Sequence, residues 1–100
     1  SDLLAVQAAQ SKRAQWQSHQ QALAAQVAAN TRTRRAWELG EAPLGEYLLS
    51  LRSLRQARLA ETQARVDALQ AAMLVRIDAH AMWHSEGEGH GENSAHAVSP

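Results

Sequence analysis

The chain contains no cysteine and no phenylalanine among its 100 residues, and these two absences exclude much of what a small protein can be. Without thiols there is no disulfide framework and no thiolate metal site. Only three Trp and one Tyr supply aromatic bulk, so a domain this short buries a modest core and function must lie on a surface. Gly and Pro are missing from Asp2 through Leu39, and after Gly45 neither recurs before Gly87. A Gly-rich phosphate loop therefore has no place to form, and the Ser and His residues fall into no triad pattern, so catalysis is not expected. No run of about 18 apolar residues is present, which argues against a membrane-spanning helix. The stretch from Asp2 to Ala9 lacks the charged start and long apolar centre of a signal peptide. An exported form of the chain would have lost its leader or been cut from something longer. Ten basic and ten acidic residues cancel, so there is no whole-chain attraction to nucleic acid or to an anionic membrane.

What the chain has in quantity is helix former. Ala makes up about a fifth of it and Gln is heavily used, whereas the β-branched residues that suit strands are sparse. The unbroken segment 2–39 predicts one helix, about 57 Å long at 1.5 Å per residue. Trp16, Leu23 and Trp37 stand seven or fourteen residues apart, with Ala9 and Asn30 in the same heptad series and Val6 and Val27 on its flank. That stripe is narrow and suits close helix-to-helix approach. Gly40 can take the left-handed conformation that closes a helix, and Pro43 has φ preset for the start of another. A turn over 40–43 is too short for anything but antiparallel neighbours. The second helix is expected over 44–85, with an apolar face read as Leu44, Leu48, Leu51, Leu59, Val66 and Met73 and extended by Leu69, Ile77 and Trp83. Arg52, Arg55, Arg58, Glu61, Arg65 and Asp67 read as its charged outer side, with a favourable Glu61 to Arg65 pair.

The expected fold is therefore all-α: an antiparallel, coiled-coil-like two-helix hairpin over 1–84, followed by a flexible tail over 85–100. In that tail Gly87, Gly89 and Gly91 alternate with Glu, His and Ser, a composition that cannot bury enough to order itself. Two helices alone leave much apolar surface, which predicts a homo-oligomer, a four-helix bundle or a larger assembly.

The most specific string in the chain surrounds the turn: Trp37-Glu38-Leu39-Gly40-Glu41-Ala42-Pro43-Leu44-Gly45-Glu46-Tyr47-Leu48-Leu49. It resembles a repeated segment of the outer membrane factor (TolC-like) family, the trimeric exit ducts of bacterial efflux pumps. There an aromatic residue and a Gly three positions on close one long helix, and a Leu, an acidic residue and a Leu pair open the next. Trp37, Gly40, Leu44, Glu46, Leu48 and Leu49 occupy those places here. The Ala-rich continuation Gln56 to Ala72 and the ending Asp78 to Trp83 are most similar to the heavy-metal cation efflux branch, and the resemblance covers roughly residues 20–84. It implies that the turn is a periplasmic tip contacting an adaptor protein, with Trp37, Gly40, Leu44, Gly45 and Tyr47 at the contact. It also implies a place in the periplasm of a Gram-negative bacterium, beside the outer membrane. Complete members of that family are several times longer and add a second hairpin and a β-barrel, so this chain matches the hairpin element alone and transport is not expected of it by itself.

From the residues themselves, Leu39, Leu44 and Tyr47 between charged neighbours read either as an exposed amphipathic knob or as closure of the hairpin core. His80 and His84 are four apart and share a helix face, so their imidazoles can grip one ion. His90 and His96, with Asp78 or Glu88, could complete a site for zinc, copper, nickel or cobalt. The alternative is that His80 packs at the hairpin end and the others are solvated; His19, alone in the first helix, reads as a packing or surface residue. A His-rich protein that captures divalent cations is thus the second functional class, and an oligomerisation domain without a ligand is a third.

Overall fold

A computed structural model describes the backbone of residues 2–98 and the side chains of residues 2–84. Two helices account for nearly all of it: α1, Asp2–Glu38, and α2, Leu44–Val98. They lie antiparallel in a rod with principal extents of 90 × 20 × 14 Å. The expected hairpin is present, and no strand occurs among the described residues.

The reversal is a Schellman turn centred on Gly40, whose φ is +74°. Glu41 N–H donates to the Ala36 carbonyl at 2.8 Å and Gly40 N–H to the Trp37 carbonyl at 3.0 Å, capping carbonyls that the end of α1 would otherwise leave free. An L-residue in that conformation is strained by roughly 1–2 kcal/mol, which is why Gly is needed here. Pro43 stands just outside α2, and its carbonyl takes the first bond of the new helix, from Glu46 N–H at 3.1 Å.

In α1 the inward residues follow the heptad series read from the sequence, with Ala9, Trp16, Leu23 and Asn30 sheltered by the partner helix. In α2 the structure turns the expected face around. Ala64 and Ala68 are the two buried apolar residues, at 8% and 7% exposure, in a series with Leu54, Ala57, Ala71 and Val75. Leu59 is 71% exposed and Met73 58%, and Leu44, Leu48, Val66, Leu69, Ile77 and Trp83 also face outward; of the expected face only Leu51 is half-sheltered. The cause is size. A two-helix seam is only two residues wide, and the α1 side already supplies Trp16 and Leu23. Counting from the Asn30 and Ser50 pairing sets Trp16 level with Ala64 and Leu23 level with Ala57, so bulky residues face small ones and the backbones approach closely.

The charged outer side is corrected in the same way. Glu61 and Asp67 are half-buried beside the seam, while Arg52, Arg55, Arg58 and Arg65 are exposed. The Glu61 and Arg65 pair does form, at 3.8 Å.

α2 continues to Val98, past the end expected at Ser85 and through Gly87, Gly89 and Gly91. Each Gly weakens a helix by about 1 kcal/mol relative to Ala, yet none forbids its hydrogen-bond ladder as an internal Pro would. The side chains of the segment expected to be a flexible tail lie outside the described residues.

Candidate interaction surfaces

At the turn, Trp37 and Tyr47 stack with ring centroids 5.2 Å apart and planes inclined by 20°. This pair closes the hairpin end, one residue from each helix. Tyr47 is half-buried, whereas Leu39, Leu44, Leu48 and Leu49 stay exposed around it. Both readings of the turn therefore apply, to different residues: Tyr47 packs at the end of the core under Trp37, which is 39% exposed, and the leucines form an apolar crown. Glu38, Glu41 and Glu46 border that crown, with Glu38 held 3.6 Å from Arg34. A side chain added at Gly45 would meet nothing within 4 Å, so the space beside the crown is open there. Gly40 is equally open in space, and its φ is what restricts it.

Two polar layers interrupt the apolar seam, and the sequence reading did not foresee either bond. Asn30, 8% exposed, donates from Nδ2 to Ser50 Oγ at 3.1 Å, and Gln26 reaches the Ser50 carbonyl at 3.4 Å. Farther from the turn, Trp16 Nε1–H donates to Glu61 Oε1 at 3.0 Å; the same oxygen faces Arg65, and the Glu61 side chain is 13% exposed. An Ala seam slides with little penalty, because one methyl resembles the next. A directional bond at two separate levels fixes one register, which places Trp37 against Tyr47. The available signal was Asn30 standing in the same heptad series as Trp16 and Leu23.

His80 and His84 lie on one exposed face with ring centroids 4.1 Å apart, edge to face. Asp78 lies instead at the open end, lining a cleft of about 210 Å³ with Asp2, Val75 and Met82. Among the described residues no cluster of three or more His, Cys, Asp or Glu could hold a metal ion. His90, His96 and Glu88 lie outside the described side chains; of the four expected ligands, the described residues hold the first pair, side by side. His19 is an exposed residue of α1. No described helix is long and apolar enough to cross a membrane.

A larger groove of about 400 Å³ runs beside the seam, lined by Val6, Ala9 and Trp16 from α1 and by Leu69, Ala72, Val75 and Arg76 among others. It exists because Ala at the seam leaves room beside it. Against known proteins, no family model, no curated protein and no solved structure matches this chain.

Proposed function

We propose that the chain is a helical docking module, comparable to the periplasmic α-hairpin of an outer membrane efflux protein in a heavy-metal efflux system, whose turn contacts the tip of a periplasmic adaptor. The observation that carries this reading is the division of labour at the turn. The Trp37 and Tyr47 stack stabilises the end of the hairpin, which frees Leu39, Leu44, Leu48 and Leu49 to remain exposed at a rigid, Schellman-capped corner. An apolar group held rigidly in water loses little entropy on docking, and that favours a small helix-tip contact. The resemblance of residues 37–49 to the tip segment of that family supplies the kind of partner.

The test is capture of the adaptor's helical hairpin by the full chain. Leu44→Glu is expected to weaken capture at least tenfold, roughly 1.4 kcal/mol, without lowering the melting temperature, because Leu44 is half-exposed. Gly45→Ala is expected to stabilise the helix by up to about 1 kcal/mol. It should nevertheless weaken capture, since the partner must approach where the new methyl stands. Capture unchanged by both substitutions would remove the docking reading.

The close pairing of His80 with His84 favours a second reading, a protein that captures divalent cations through its His-rich C-terminal region. Calorimetric titration of the full chain with zinc, copper or nickel should then release heat that falls sharply in the double variant His80→Ala/His84→Ala. No heat with any of the three ions removes this reading and leaves the docking proposal untouched.

A further inference from the structure

α2 carries two heptad series, and α1 uses one. The second lies on the side away from α1: Leu59, Val66 and Met73 recur every seven residues, and Leu69, Arg76 and Trp83 recur every seven, three positions after Val66 and Met73. Thr62 and His80 fill the two remaining places, so spacings of three and four run over 25 residues as the seam of a coiled coil about 36 Å long, with two polar positions in it. The apolar members of this series are exposed, and Leu69 and Arg76 also line the groove beside α1, so stripe and groove make one continuous surface.

We propose that this face pairs with the same face of a second copy, antiparallel, about a two-fold axis near position 71. The order of residues selects that partner and that direction. In an antiparallel coiled coil each residue of one series lies level with a residue of the other. Leu59 meets the partner's Trp83, Val66 meets the partner's Arg76, Met73 meets the partner's Leu69, and the polar Thr62 meets the partner's His80. The long aliphatic stem of Arg76 covers Val66 while its guanidinium reaches solvent at the edge. A parallel pairing would instead set Arg76 against the partner's Arg76, two like charges in one apolar layer.

The rod, 90 × 20 × 14 Å in extent, exposes 7829 Å², and a standard interface covers roughly 800 Å² per partner. The stripe begins fifteen residues after Leu44, so pairing leaves both turns uncovered. The pair is a four-helix layer with the α2 helices in the middle and one turn at each end, about 90 Å apart. Such a rod offers two docking tips that face in opposite directions.

Sedimentation equilibrium of the full chain at micromolar concentration should give the mass of a dimer. Leu69→Glu/Met73→Glu should weaken association at least 100-fold and leave the helix content of the separated copies unchanged, since both side chains are exposed within a single hairpin. Because the chain has no cysteine of its own, direction can be read directly. Mixed Leu69→Cys and Met73→Cys chains should oxidise to the heterodisulfide, as the antiparallel layer requires. A wild-type monomer, or disulfides formed only between identical variants, would overturn the proposal.

Discussion

Ala64→Leu and Ala68→Leu should each destabilise the hairpin by roughly 1–3 kcal/mol, the usual effect of forcing extra methylenes into a closely packed contact. Together they should melt the pairing of α1 with α2 at ordinary temperature. The substitutions look harmless by composition, since Leu is at least as apolar as Ala and forms helices nearly as well. Their effect comes from position: both residues are under a tenth exposed, where the two backbones run closest. Leu59→Ala, made on the outer face, should change the stability of the single hairpin by no more than about 0.5 kcal/mol. The comparison is made by chemical denaturation, at concentrations low enough that copies do not associate. A large loss for Leu59→Ala with tolerance of Ala64→Leu would mean that α2 presents its opposite side to α1.

The second large effect is expected at the polar layer far from the turn. Trp16→Phe keeps most of the ring in the seam and removes the N–H that binds Glu61. The Glu61 side chain, 13% exposed, then keeps Arg65 at 3.8 Å as its partner. Losing a hydrogen bond to a charged group generally costs about 1.5–3 kcal/mol. Replacing Glu61 with Leu in the same chain should recover part of that loss, because the enclosed charge disappears along with its missing partner. The double variant should also allow the helices to slide, which would broaden the distribution of distances measured between them. If Trp16→Phe is silent, the bond is not a determinant of register and Asn30 with Ser50 must set it alone.

These two sites show where the fold was legible in the sequence. The α1 stripe could be read because that helix has one series of large residues, and Trp16, Leu23 and Trp37 mark it unambiguously. The turn could be read because only Gly40 and Pro43 interrupt the helix formers, and each acts through its backbone. The inner face of α2 was misread because two heptad series coexist there. Periodicity cannot rank them, and size gives the wrong answer. The larger residues, Leu59, Val66 and Met73, face outward because Trp16 and Leu23 on α1 already fill the seam. What decides is complementarity between helices, which no window along a single helix contains.

The candidate sites divide in the same way. Trp37 and Tyr47 both read as turn residues from the sequence, yet their stacking is a contact between helices that appears only once the capped turn brings them together. The pairing of His80 with His84 follows from their spacing alone, and the structure places them as that spacing requires. Gly45 is an open position in the structure, so nothing in the packing of the chain itself requires Gly there.

The seam, the turn and the docking reading all require that the chain fold back on itself with Ala at the seam. Nitroxide labels at Gln10 and Gln70, both exposed, test this most directly. Counting from the Asn30 and Ser50 pairing sets them level with each other across the seam. With labelled chain diluted into unlabelled chain, the pulsed dipolar distance should be below about 30 Å, consistent with helix axes 8–10 Å apart. Sixty residues of uninterrupted helix would separate the labels by about 90 Å, and a distance near that value would contradict the hairpin and everything built on its turn.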